Sequence, residues 1–588
     1  MVTTTVTAHS KGEAVAISTP NGTVRITPYV SSGGSDGLKT VLRFAPRYSS
    51  FDRENTKSQN DQFRGFFTLF WIGLAITFMR TSLDSWDTNR TLLSLNFGRL
   101  ITRDAVMLAV ADLIMVSAML LSVPFVKCLQ RGYFNYYYTG VMLQVFFESC
   151  FVCAAVAWGV ARDWYWVQAG FMVLHSLSCI MKVHSYIAHN GMLATVYSRL
   201  QVEKRTLADY IARHGGHEAA LERAAKHQAE LEAIEASAPE VSTPATPQIV
   251  VTNENENGNG NTNGNGNVDN TRLLRQALES GAALRRRKRS SLPAKNNLPL
   301  PTEGLPRGTS LEPSHSTSPH TPRDPNPLAW SPDRQIALLA RNIDEMEDEL
   351  RSNGKKGLVW PENLTYRNFV EFQFFPTLVY ELEYPRTTTI RPLYILEKTL
   401  ATFGTFSLIY TLTEHYIMPH SPQPTDSILH TFLNLALPMM INFLLIFYII
   451  FECICPAFAE LSCFADRELY GDWWNSTSWD EFSRKWNKPV HVFLLRHVYS
   501  SSRNAWNFSK WQAAFFTFFL SALAHELVMA VVSKKIRPYL FLMQISQIPL
   551  IAIGRLPIVR RNRTLGNIVF WLGLMIGFPL LEICYLVY

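Results

Sequence analysis

The sequence predicts an all-α, polytopic membrane protein with about nine membrane-spanning helices, and three observations predict it. Hydrophobic residues fill 47% of the 588 positions and charged residues only 18%. The apolar residues gather into runs of roughly 20, the length that crosses a bilayer as a helix. The remaining segments, about 1–60 and 235–330, are of the opposite kind, rich in Ser, Thr, Asn, Gly and Pro. A net charge of +7 in a soluble chain would hint at nucleic acid. Here the basic residues flank the apolar runs, as they do on the cytosolic side of membrane proteins, and no nucleic-acid partner is expected.

In chain order the expected spans are about 65–80, 104–126, 139–161, 166–188, 394–418, 431–455, 511–533, 538–556 and 566–587. They divide the chain into a disordered cytosolic tail (1–64), four spans (65–190), a cytosolic insert (191–359) and a core with five spans (360–588). The first sixty residues lack the apolar core of a signal peptide, so the first span is expected to act as its own insertion signal. Arg43, Arg47, Arg53, Lys57 and Arg64 precede that span, and Arg484, Lys485, Lys488, Arg496, Arg503 and Lys510 crowd one later loop. With Arg555, Arg560, Arg561 and Arg563, they set the N-terminus in the cytosol and the C-terminus in the lumen. Lys534, Lys535 and Arg537 fall on the other side, which the charge rule does not explain.

The insert holds three kinds of text. Residues 202–236 read as charged helix broken at Gly215-Gly216. Residues 237–328, with their "NENENGNGNTNGNGN", cannot bury a core and are expected to be disordered. They carry a basic run at 285–289 and candidate phosphosites at Ser318 and Thr321. A helix then starts with Ser331 as cap and Pro332 in its first turn. Its stripe of Ile336, Leu339, Ile343, Met346 and Leu350 needs a partner, either this chain or a second copy. The eight cysteines lie in or beside apolar runs, without the spacing of a disulfide framework or a zinc site. Of six Asn-x-Ser/Thr sequons, only Asn89 follows a span into the lumen.

The seventh span, "WQAAFFTFFLSALAHELVMAVV", places His525 and Glu526 near its middle, with Ser521 one turn earlier. Ionisable groups at that depth cost a few kcal/mol each, so they face protein or water. Two readings stand: an interhelical hydrogen bond, or a site in which neutral histidine acts as general base. His175, Lys182 and His184 in the fourth span either join that interior or serve the structure. Before the seventh span, "LYGDWWN" (469–475) leads into "STSWDEFSRKWNKPVHVFLLRHVY" (476–499), which mixes Trp, Phe, Arg, Lys and His without a spanning run. It reads as amphipathic elements at the membrane surface, suited either to a ligand with phosphates and a flat ring or to an interfacial aromatic belt.

"YGDWWN", "WNKPVH" and "ALAHELVMA", with "FFPTLVYELEYPRTTTIRP" at 374–392, resemble the sterol O-acyltransferase branch of the membrane-bound O-acyltransferases. The resemblance is strong over about 360–588 and weaker over the first four spans; the Asn/Gly-rich insert is similar to fungal members. Leu469 stands where the family usually has Phe. The resemblance implies a fold enclosing an intramembrane reaction chamber, in the endoplasmic reticulum membrane. It implies transfer of a long-chain acyl group from coenzyme A to a sterol 3-hydroxyl, giving steryl esters for storage. His525 and Asn487 match the catalytic pair, Glu526 and Ser521 support them, and Arg484, Trp486, His491, Tyr499 and Lys510 match acyl-CoA contacts. Tyr470, Asp472, Trp473, Trp474 and Asn475 form a structural motif bracing the tunnel mouth. No metal and no cofactor are expected, acyl-CoA being a co-substrate, and a homodimer or homotetramer is expected. The alternatives are a diacylglycerol O-acyltransferase of the same superfamily and, in another class, a lipid transporter or membrane scaffold.

Overall fold

The computed structural model describes residues 15–19, 22–26, 44–55, 64–92, 96–237, 325–352, 354–421, 427–554 and 562–587. The basic run at 285–289, the candidate phosphosites and Arg555, Arg560 and Arg561 lie outside them. The chain divides into a compact unit of residues 1–230 and 320–588 and a second of residues 231–319. The elements that build the candidate site all belong to the first.

Every expected span falls on a helix. Among the described residues, six helices are long and apolar enough to cross a membrane: α3 (Ala105–Gln130), α4 (Tyr136–Ala161), α5 (Trp166–Arg213), α10 (Ile428–Leu461), α13 (Lys510–Ser533) and α15 (Arg563–Leu586). A shorter apolar helix, α14, spans Tyr539–Gly554. The other two, α1 (Arg64–Asn89) and α9 (Pro392–Leu412), have the length, 26 and 21 residues. Charged residues such as Arg80, Asp84, Glu397 and Lys398 dilute their apolar character. A short helix, α2 (Asn96–Thr102), lies between α1 and α3.

Contacts between helix ends sort the loops into two sets. In one, Gln168 Nε2 donates to Leu100 O at 2.7 Å and Arg103 O at 2.9 Å. Gly98 N donates to Tyr410 Oη at 2.9 Å, Lys534 pairs with Asp163, and Leu540 N donates to Tyr585 Oη at 3.1 Å. In the other, the backbone of Arg47 pairs with the 465–467 segment, Asp52 with Arg391, and Asn567 with Trp474. The sets alternate along the chain as nine spans require. Lys534, unexplained by charge, is there matched by a carboxylate on its own side.

The structure corrects several sequence-based expectations. The helix of the fourth span does not stop at the end of its apolar run near 188: α5 runs unbroken for 48 residues, to Arg213. No breaker interrupts it before Gly215 and Gly216, whose φ of +103° and +83° end the helix as expected and lead into α6 (Gly216–Ser237). The helix at 331–350 is α7 (Arg334–Glu349), and its cap is Asp333, which accepts from Gln335 N; Ser331 Oγ accepts from Asp333 N one turn earlier. Its stripe packs inside this chain, with Ile336, Leu339, Ile343, Met346 and Leu350 all buried in one cluster with α5 residues. The expected disordered tail is structured in two places. Alternating β-branched residues form a hairpin of Val15–Thr19 and Gly22–Ile26. Residues 44–55 form a strap whose Ser49 and Asp52 are buried against the spanning core.

Gly191 of α5 lets the ring of Tyr136 lie against the helix backbone: a Cβ there would sit 2.4 Å from the ring. The ring cannot swing away freely, because its hydroxyl donates to buried Gln144 Oε1 at 3.1 Å. Gly191→Ala gains about 1 kcal/mol of helix propensity against an overpacking cost of about 1–3 kcal/mol. The clash wins, and the detergent-solubilised variant is expected to unfold at lower temperature than wild type in a thermal ramp. An unchanged or raised midpoint would show that this contact is soft.

Candidate active site

The loop 469–475 is built by its tryptophans. Trp473 is buried, with ring centroids 4.8 Å from Trp486, 5.3 Å from Phe447 and 5.8 Å from Trp571. Trp474 lends its carbonyl, which accepts from Trp571 Nε1 and Asn567 Nδ2, both at 3.0 Å. Gly566 allows this approach, since a Cβ there would lie 2.8 Å from Thr477 O. Tyr470 Oη donates to buried Glu452 Oε1 at 2.5 Å. Asp472 pairs with Lys485 at 2.8 Å, and Asn475 closes a backbone turn onto Asp472 O at 3.1 Å. These residues thus staple the loop to the last helix and to the next element.

That element is α11 (Trp479–Lys485), followed by a continuous helical run, α12, over residues 488–505. Its middle, Leu494–Ser500, is π-helical, a widened turn frequent at functional sites. Ser478 caps α11, its hydroxyl accepting from Glu481 N. Asn487 caps α12: Oδ1 accepts from Val490 N at 3.2 Å, so the amide orientation is fixed and Nδ2–H points away from the helix end. Two backbone bonds bracket Asn487. Gly471 N donates to Lys485 O at 2.7 Å, and Lys488 N donates to Leu469 O at 3.0 Å.

The expected acyl-CoA contacts differ in what they already do. Arg484 is exposed and pairs with Asp480 at 2.6 Å. Trp486 is committed to the aromatic cluster, stacked on Phe443 at 4.8 Å. Burial, with Arg484 second, holds the His491 pKa below the ordinary imidazole value, so near neutral pH it is a hydrogen-bonding group rather than a cation. Tyr499 is half-buried within the π turn and Lys510 is exposed. Lys485, not singled out from sequence, sits between Asp472 and Glu481. Burial opposes its charge, but the two carboxylates raise its pKa above the ordinary lysine value.

His525 lies on α13, which starts with a Ser509–Gln512 capping box and packs against α5, α12 and α14. Its Nδ1 is 2.7 Å from Ser521 O. A carbonyl only accepts, so in the neutral ring Nδ1 carries the proton and Nε2 keeps its lone pair. Ser521 therefore contributes its carbonyl. Glu526 does not orient the histidine: it accepts from Phe541 N and the Tyr585 hydroxyl, each at 2.9 Å, tying α13 to α14 and α15. No contact between Asn487 and His525 is found among the described residues. His525 is exposed on the single chain, and α13 is the least covered of the six long apolar helices. An apolar recess of about 480 Å³, lined by Phe508, Trp511, Gln512, Phe515 and Phe516, opens beside the start of α13. Nine residues of helix, about 13 Å, separate Phe516 from His525.

The polar residues of the fourth span all have partners within the chain. His175 pairs with Asp112 at 2.6 Å, and His184 with Glu148 at 3.1 Å. Lys182 Nζ donates to the carbonyls of Phe372, Gln373 and Phe375, capping α8 (Tyr366–Phe374). The 374–392 motif is a brace as well. Arg386 holds Glu371 at 2.7 Å, and Arg391 holds Asp52 and Glu460, each at 3.0 Å, while Arg467 also pairs with Glu460. Sequence reasoning misses Glu452, Glu460 and Asp52. The one available signal is that two of them are carboxylates at the end of an apolar run.

Residues 338–587 match the family described as MBOAT, membrane-bound O-acyltransferase family. The chain is 30% identical to a probable sterol O-acyltransferase 2 of Schizosaccharomyces pombe, over 93% of this chain and 92% of that protein. It is also 30% identical to a sterol O-acyltransferase 2 of Candida albicans, over 94% of this chain and 81% of that protein. A diacylglycerol O-acyltransferase 1 of Dictyostelium discoideum is 36% identical over 39% of this chain and 38% of that protein.

Proposed function

This chain belongs to the membrane-bound O-acyltransferase family, and from that premise we propose that it moves a long-chain acyl group from coenzyme A to the 3-hydroxyl of a sterol. The observation that carries the chemistry is His525, held through Nδ1 by its own helix with Nε2 left as a base. The relatives similar over nearly the whole chain are sterol O-acyltransferases, whereas the diacylglycerol enzyme matches over 39% of it.

Nε2 takes the sterol hydroxyl proton as the oxygen attacks the thioester carbon. Asn487, its Oδ1 committed to the helix cap, offers Nδ2–H to the carbonyl oxygen as that oxygen becomes negative. The C–S bond then breaks, and the imidazolium returns the proton to the leaving thiolate. Steryl ester and coenzyme A result, with no net proton change. Arg484, His491, Tyr499 and Lys510 line the approach of the coenzyme A head, and Trp486 with the 470–475 loop holds that mouth in shape.

The protein is a multi-pass membrane protein. Arg43, Arg47, Arg53, Lys57 and Arg64 ahead of the first span, with the basic 484–510 segment, support a cytosolic N-terminus, and its branch of the family supports the endoplasmic reticulum. Self-association as a dimer or tetramer needs a surface other than the stripe of α7, which is already covered.

Sterol-dependent release of free thiol from oleoyl-CoA tests the reaction. Release is expected with a 3-hydroxysterol and not with its 3-O-methyl ether. Equal release with the ether, or without sterol, would mean hydrolysis or another acceptor.

A further inference from the structure

We propose that the N-terminal strap, residues 44–55, is a positioning element for Asn487, acting through Glu452 and Glu468. The inference rests on the role given to Asn487 above.

Glu452 is fully buried in a π turn of α10 (Ile449–Ile454). Its carboxylate accepts from the Ser49 hydroxyl and from Tyr470 Oη at 2.5 Å, and pairs with Lys398 Nζ at 3.3 Å. A buried carboxylate is strongly penalised when it loses a donor, so the strap, the loop and α9 are held to one point. Tyr470 is the middle of three residues whose neighbours grip the candidate asparagine. Leu469 O accepts from Lys488 N, and Gly471 N donates to Lys485 O, one bond on each side of Asn487. A second route runs nearer the surface. Arg47 Nη1 pairs with Glu468 Oε2 at 3.1 Å, and Glu468 Oε1 with Lys488 Nζ at 2.9 Å; Lys488 is the first residue of the helix that Asn487 caps.

The strap is seated independently of both routes. Arg47 N donates to Ala465 O and Arg467 N to Arg47 O, each at 2.9 Å, and Asp52 Oδ2 lies 3.0 Å from Arg391 Nη2. Its two links therefore act on a docked segment, and cutting one shifts the 469–471 backbone without freeing the strap. Displacement of a reacting group by about 1 Å costs on the order of 10²-fold in rate.

The test uses full-length Ser49→Ala and Tyr470→Phe, singly and together, with oleoyl-CoA and a sterol. Each removes one hydroxyl and keeps the apolar shape. kcat is expected to fall roughly ten- to a hundred-fold in each, with KM for oleoyl-CoA within about two-fold of wild type. Because both act through Glu452, the double variant is expected to be no slower than the slower single. Near-ultraviolet circular dichroism of the Trp473, Trp474 and Trp486 cluster is expected to change in both singles. Wild-type kcat in Ser49→Ala, or multiplicative losses in the double variant, would overturn the proposal. Should either variant fail to fold, Arg47→Gln cuts the surface route without emptying a buried site; it is expected to lower kcat at unchanged KM, and wild-type kcat there refutes the proposal. Asn487→Ala runs alongside. Full activity in that variant would refute the role of Asn487 and this proposal with it. Loss there with unaffected strap variants would refute the strap alone.

Discussion

His525→Ala is expected to lower acyl transfer by about 10²- to 10⁴-fold, the range that a positioned general base supplies, while leaving the fold intact. The fold should survive because, among the described residues, the side chain ties no second helix to its own. Its hydrogen bond is to Ser521 O of its own helix, and alanine is a better helix former than histidine. The interhelical tie at this level belongs to Glu526, through Phe541 N and Tyr585. The check is the transfer rate per mole of monodisperse protein, beside its thermal midpoint. A rate near wild type would remove histidine from the mechanism. A collapsed midpoint with lost activity would mean that His525 also holds the fold together.

Asn487 separates into two functions that different substitutions divide. Asn487→Asp keeps an oxygen to accept from Val490 N and adds negative charge at a helix N-terminus, which is stabilising. It loses Nδ2–H, the donor for the developing oxyanion. The expected result is a loss of about 10²- to 10³-fold in kcat, as for other oxyanion donors, with thermal stability equal to wild type or higher. Asn487→Ala loses the donor and the cap together, and is expected to show the same kinetic loss plus about 0.5–2 kcal/mol of destabilisation. An active, stable Asn487→Asp would reduce Asn487 to a helix cap.

The spans were legible because hydrocarbon demands about 20 apolar residues in succession, and each run is a helix. Their ends were less legible where helix outlasts hydrocarbon. In α5 the composition turns polar after 188 but nothing breaks the backbone before Gly215. His525 stood out as an ionisable group inside such a run. The partners of Glu526 were not legible, because adjacent helix residues point about 100° apart and sequence neighbours face different helices. The stripe of α7 was legible and its partner was not, since periodicity shows a face without saying what covers it. Least legible was the charge cluster of Asp52, Arg391, Glu460 and Arg467. Its members lie on three stretches of the chain, around 52, 391 and 460–467, and only the fold brings them together.

The central claim is the acceptor and the bond formed. Purified full-length protein would receive acyl-labelled oleoyl-CoA with a sterol and diacylglycerol together at equal concentration, and the labelled lipid would be identified. The account predicts label in steryl ester. Label in triacylglycerol would keep the base and the oxyanion donor but contradict the sterol assignment, and label in neither lipid would contradict the acyltransferase reading itself.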